Sequence, residues 1–268
     1  MRPNLACLCL CLTLCASVFA APKARAQSDM MATRGEIITL LGRIYEGESL
    51  RGELEGRGFR GQNLSLAMGQ VQRIMRDPVV AGHIADRVLA VQSGASIPMS
   101  QSQGLLWGLV DQGVGHLPLR DLRYYYLVEK TVLNAMPTRQ CGLAVRERLR
   151  PEQLSDATAQ VAARLNTNAL ENYYRIQLEA AKAGARRGPA TMTTARAQAA
   201  EDRIFSALTE RLATDPDAPR LIAAFADLDR ASNRNACAAG RVFIDTVLTL
   251  EGQELRDALV YLSQPTLR

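Results

Sequence analysis

The sequence predicts an all-α fold, a multi-helix bundle of about nine to eleven helices closed by one disulfide. Three observations carry that expectation. Apolar residues recur at spacings of three and four, the period of an amphipathic helix. The composition favours helix over strand, being rich in Ala, Leu, Arg, Glu and Gln with 5% aromatic residues. No segment alternates apolar and polar residues over the length of a strand.

Residues 1–26 precede the bundle. Arg2 gives a positive start, residues 5–20 form an apolar run, and Ala24-Arg25-Ala26 puts small residues at the two positions a signal peptidase inspects. The segment therefore reads as a secretory signal peptide cleaved near Ala26. Val18 and Ala20 mark a second cleavage point that removes the same run. A lipidated Cys15 would need a small residue before it, where Leu14 stands. No later stretch approaches the roughly 20 apolar residues that span a bilayer. The mature chain is expected to be soluble, without an integral membrane segment, and periplasmic or secreted.

Ile37, Leu40, Leu41 and Ile44 mark a first helix, and residues 46–63, with five glycines among many charges, read as a loop. Together they form an N-terminal region of residues 27–63, ahead of a helical domain of residues 64–268. Residues 64–76 and 79–91 follow as two helices, Pro78 fitting the first turn of the second. Residues 93–102 lead to a helix at 105–114, for which Ser100 or Ser102 is a cap, and Gly115-His116-Leu117-Pro118 ends it. Leu119, Leu122, Tyr126, Leu133 and Met136 form the stripe of the next helix, stopped by Pro137, and residues 139–149 form a short one carrying Cys141.

From Leu154 through Val161, Leu165, Ala169, Tyr173 and Ile176 to Ala180 the helical spacing continues. This predicts one long helix after Pro151, bent at Asn166-Thr167-Asn168. Residues 184–194, basic and weakly apolar, read as the most mobile internal linker and the place where two subdomains would divide. Ile204, Phe205, Leu208 and Leu212 line one further helix, and Leu221, Phe225 and Leu228 another. Residues 242–250 and 255–262 finish as a helical hairpin around Glu251-Gly252.

Charge and cysteine usage narrow the partners. Loss of Arg2, Lys23 and Arg25 with the signal takes the formal net charge from +5 to +2. Arg alternates with Glu and Asp along nearly every segment instead of gathering on one face, so nucleic acid is not an expected partner. Lys130 and Lys182 are the only lysines of the mature chain. Cys7, Cys9, Cys11 and Cys15 leave with the signal, and Cys141 and Cys237 remain to pair in an oxidising compartment. Closing that loop would restrict the unfolded chain by about 4 to 5 kcal/mol in the entropic model.

Several chemistries lack their parts. Gly56-Arg57-Gly58-Phe59-Arg60-Gly61 matches the dinucleotide-binding glycine spacing, yet Glu53-Leu54-Glu55 supplies no strand to feed it. No cofactor is expected. His83 and His116, the only histidines, are not three or four apart, so no metal site is expected either. Gly47-Glu48-Ser49-Leu50-Arg51 has Arg51 where a serine elbow needs glycine. Glu46, Glu48, Glu53 and Glu55 could serve as the paired carboxylates of a glycan-cleaving enzyme if one of them had an apolar setting. Glu171, beside Tyr173 and Tyr174, is a more sheltered carboxylate that Arg175 or Arg164 could pair.

Aromatic clustering gives the positive signal. Tyr124, Tyr125 and Tyr126 are consecutive, and successive residues turn by about 100° on a helix, so at least one should reach the surface. With Trp107, and with Tyr173-Tyr174 further on, they form a candidate interaction patch. Gly104 and Gly108, four apart on the Trp107 helix, would let another helix approach closely. No catalytic residue is nominated. The expectation is an exported helical protein acting by protein–protein contact: an inhibitor or immunity-like factor, or an accessory subunit of an envelope or secretion assembly. A glycan-cleaving envelope enzyme and a helical carrier of an apolar ligand are the alternatives.

Overall fold

Capping residues and prolines divide the apolar periodicity into more helices than the spacing alone suggests. The computed structural model describes residues 32–44, 48–94 and 105–264, and these form thirteen helices and no strand. They are α1 (Arg34–Ile44), α2 (Glu48–Gly56), α3 (Gly61–Arg76), α4 (Pro78–Gln92), α5 (Leu105–Val114), α6 (Leu119–Ala135) and α7 (Thr138–Val145). Then follow α8 (Pro151–Arg164), α9 (Thr167–Arg187), α10 (Thr194–Ala213), α11 (Ala218–Ala226), α12 (Asn233–Val247) and α13 (Gly252–Leu262). The signal segment with its four cysteines, Glu46, the Ser100 and Ser102 caps and Gly104 lie outside the described residues.

The all-α class stands, and two corrections raise the helix count above eleven. Within the expected loop at 46–63, α2 forms because Leu50 and Leu54, one turn apart, are both buried. Arg57 also reaches back to Glu53 at 3.0 Å, supporting the last turn. The expected long helix is two helices. Leu165 is extended, and the Asn166 side chain accepts from the Ala169 amide at 2.9 Å, starting α9 afresh. Asp77 starts α4 in the same way, accepting from Val79 N at 2.9 Å with Pro78 in the first turn.

The connection at 188–193 is anchored on both sides. The His116 ring nitrogen donates to the Gly188 carbonyl at 3.0 Å, Ala190 is buried, and Thr193 caps α10. Helix α6, before this connection, packs against α12 and α13, after it. One cluster of buried side chains runs from Leu50 to Leu262. Phe205 does not join it: Ile204 and Leu208 turn inward, and Phe205 is 55% exposed, as is Ile222 on α11.

Two crossings are made by backbone meeting backbone. Helix α5 lies along α9 so closely that a Cβ on Gly113 would strike the Ala180 carbonyl and the Gly184 amide, and one on Gly184 would strike the Leu109 carbonyl. The close approach expected at Gly108 is displaced to Gly113, since a Cβ on Gly108 would meet nothing within 4 Å. Helix α7 crosses α12 similarly, with Gly142 against the Asn233 backbone and Gly240 against Val145. There Cys141 and Cys237, both buried, stand at disulfide distance with Cα atoms 5.1 Å apart.

Arginines close the helix ends around these crossings. Arg241 on α12 donates to the carbonyls of Leu133, Asn134 and Met136 at 3.1 to 3.2 Å, closing the end of α6. Arg146 donates to the Gly142 carbonyl at 3.1 Å, to Ala231 at 3.0 Å, and to the Asn233 side chain.

Gly113→Ala or Gly184→Ala should destabilise the fold by about 3 kcal/mol, because a backbone collision has no rotamer to relieve it. Gly108→Ala should instead be neutral or gain up to about 1 kcal/mol from lower unfolded-chain entropy. Urea unfolding of the three variants checks the contrast. Replacing Cys141 and Cys237 together by Ala should lower stability by about 4 kcal/mol, read by the same titration, while a thiol probe should label the unfolded wild type only after reduction.

Candidate functional site

The expected aromatic cluster assembles where α6 meets α9, next to the α5–α9 crossing. Helix α6 begins five residues after α5 ends, so its first turns fall on the helix to which α5 is already fixed. Asp121, buried in the first turn of α6, takes a forked pair from Arg175 of α9: Nη2 to Oδ1 at 2.7 Å and Nη1 to Oδ2 at 3.0 Å. Arg175 also donates to the Asn172 side chain, at 2.9 Å from Nη2. The exposed Arg120 adds a longer contact to Asp121 at 3.4 Å. Hydrogen bonding to Arg175 first, and the neighbouring positive charge with it, hold the Asp121 carboxyl below the usual aspartate range.

One turn along the same face, the Tyr124 hydroxyl donates to the Ala169 carbonyl at 2.9 Å. Partial burial pushes that phenol up from its ordinary value. Tyr124 is half-buried. Tyr125 and Tyr126 are buried: the Tyr125 ring lies 6.3 Å from Tyr173 of α9, and the Tyr126 hydroxyl donates to the Leu259 carbonyl of α13 at 3.3 Å. Tyr173 and Tyr174 stack at 6.2 Å, and burial pushes the Tyr174 phenol strongly up. Trp107 is buried on α5. The structure thus gathers the six nominated aromatics along α5, α6 and α9 but buries five of them. The surface member is Tyr124.

Beneath the rings the interior is polar in a way the aromatic signal hid. Glu129, one turn beyond Tyr125, is 3% exposed, and neither carboxyl oxygen has a hydrogen-bond partner. Burial, and then the negative charge of Asp111, push this carboxyl well above the usual glutamate range. Gln177, one turn beyond Tyr173, is 1% exposed with both amide atoms unpartnered. Gln70 of α3 donates to the Tyr174 carbonyl at 2.8 Å and leaves its own oxygen without a partner. The sequence carried a signal for Glu129: the stripe Leu122, Tyr126, Leu133 has a gap at the one position where 129 belongs.

Outside this junction two of the nominated carboxylates are engaged. Glu53 pairs with Arg57, and Glu55 stands 3.9 Å from Arg51, both along α2. Glu171 is exposed and is not the partner of Arg175, which goes to Asp121. Among the described residues no group of three His, Cys, Asp or Glu side chains gathers as metal ligands. Compared with protein-family models, curated proteins and solved structures, the chain matches none.

Asp121→Asn and Arg175→Gln should each cost about 1 to 2 kcal/mol at neutral pH, the lower end reflecting the half-exposed guanidinium. Because folding lowers the Asp121 proton affinity, this contribution exists above the unfolded value of about 3.9 and disappears as pH falls through the folded one. Thermal unfolding should therefore separate wild type from Asp121→Asn at neutral pH and bring them together in strong acid.

Proposed function

We propose that this chain is an exported, soluble helical protein that acts by contact with another protein, as an inhibitor or immunity-like factor or as an accessory subunit of an envelope or secretion assembly. The observation that carries this reading is the outer face of α6. Arg120, Tyr124, Leu127 and Thr131 follow at steps of four, three and four, with Arg123 beside them, so they share one side of the helix. Leu127 is 40% exposed, Arg120 and Arg123 are exposed, and Tyr124 offers a half-buried ring.

Tyrosine and arginine are among the side chains that dominate contact energies at protein interfaces, and Leu127 adds apolar area beside them. Holding Tyr124 by its bond to Ala169 also removes rotamer freedom that binding would otherwise have to freeze. Export is supported by the signal-like residues 1–26 and by the Cys141–Cys237 pair at disulfide distance. Among the described residues no helix is long and apolar enough to cross a membrane.

A photo-crosslinking residue at position 127, in protein expressed in its own cell envelope, should capture one discrete partner. Tyr124→Ala should weaken that complex by about tenfold or more. A crosslinker at position 205, on the exposed Phe205 site, is the internal comparison. Capture from 205 and none from 127, or capture indifferent to Tyr124→Ala, would reject the α6 face.

A further inference from the structure

We propose that Glu129 is a proton-controlled latch: the core around α6 closes over a neutral carboxyl, and removal of its proton leaves an uncompensated charge that loosens the helices packed there. Burial supplies the first half of the argument, since the side chain is 3% exposed and neither oxygen has a protein donor within reach. A charge in such a setting is tolerated only beside a cation or several donors.

The surroundings supply the second half, because no cation of α6 or of the helices packed on it pairs with the Glu129 oxygens, and Arg120 and Arg123 are exposed on the outer face of α6. On α6 itself Lys130 binds Asp245 of α12 at 2.7 Å. From α9, Arg175 is held by Asp121, and the Tyr173 ring lies 6.3 Å from Tyr125. From α12, Arg241 is spent on the carbonyls of Leu133, Asn134 and Met136. From α13, Arg256 donates to the Leu117 carbonyl at 3.1 Å and Tyr261 is buried. The charged groups of α8, Glu152, Asp156 and Arg164, are exposed. The remaining charge, Asp111 of α5, has the same sign as an ionised Glu129 and opposes its ionisation.

The direction follows from linkage. In the unfolded chain the carboxyl gives up its proton at about pH 4.3, whereas the folded chain holds it to higher pH. Between those two values the native state binds the extra proton, so stability falls as pH rises, by up to about tenfold in the folding equilibrium per pH unit. Below the lower value the device contributes no pH dependence.

Thermal unfolding of the full chain between roughly pH 5 and pH 8 tests this for wild type and Glu129→Gln, whose amide has the same shape and no charge to acquire. Wild type should lose stability across the interval relative to Glu129→Gln, and amide hydrogen exchange in α6 should speed up more than the solvent effect alone requires. Parallel pH profiles for the two proteins would overturn the proposal. Infrared spectra of folded wild type near neutral pH decide the matter even if the variant does not fold: a protonated carboxyl band from Glu129 supports the latch, and a purely ionised glutamate population sinks it.

Discussion

The placement of α6, with its ion pair and its tyrosines, depends on two helices meeting without side chains between them. At Gly113 and Gly184 the backbones of α5 and α9 touch, and any Cβ there would sit inside a neighbouring carbonyl or amide. With α5 fixed on α9, the short turn through Gly115 and Pro118 leaves α6 few places to begin. Its first turn falls on α9, which is why Asp121 finds Arg175 and Tyr124 finds the Ala169 carbonyl. The close crossing also brings Tyr125 and Tyr173 to ring contact, sealing the polar groups one turn beyond them from water. Packing, ion pair and buried acid are consequences of one contact geometry.

The arginine excess acquires a physical reading in the structure. A bundle of many short helices ends many helices against other helices, and each end leaves carbonyls that no amide of the same helix can satisfy. A guanidinium presents five donors in a plane and keeps its charge, so one side chain can answer several carbonyls at once. Arg241 does this for α6, Arg146 for α7 and the 229–231 segment, and Arg60 for the Glu55 and Phe59 carbonyls, while Arg256 answers the single Leu117 carbonyl in the turn before α6. A lysine has a single nitrogen on a flexible stem and cannot fork in this way. The alternation of Arg with Asp and Glu along the sequence therefore records two uses, ion pairs on the outside and carbonyl clamps at helix ends.

Helical class and most helix cores were legible because burial imposes the three-and-four period wherever a helix has one covered face. What misled was local competition between signals. At 46–63 five glycines outweighed Leu50, Leu54 and the Glu53–Arg57 spacing, although the leucines and the ion pair are what the chain uses. At 165–167 the apolar period runs through unbroken while Asn166 quietly restarts the helix, since a cap costs the pattern nothing. Spacing identified a glycine contact on α5 but chose Gly108, because a sequence cannot say which face of a helix meets a partner's backbone. The three tyrosines show the same limit. The 100° turn required at least one near the surface, and packing on α9, α12 and α13 left that place to Tyr124.

Glu129 and Gln177 raise the question of why a core so tightly specified at its crossings contains polar groups without partners. Replacing such groups by apolar ones of similar shape is often neutral or stabilising, so their presence does not strengthen the fold. Both stand one turn past a tyrosine of the Tyr125–Tyr173 contact, on the two helices that carry the outer face of α6. Local opening begins where interior interactions are weakest, and Glu129 is where buried polar atoms of α6 lack partners. The helix is fixed at its first turn by Asp121, at its end by Arg241, and between them by Tyr126 on α13 and Lys130 on α12, so Glu129 is an unpartnered group set among ties. The middle of α6, from Tyr125 to Lys130, is then the part able to respond to a change of protonation without dismantling the α5–α9 crossing, and Leu127 on its outer side would move with it.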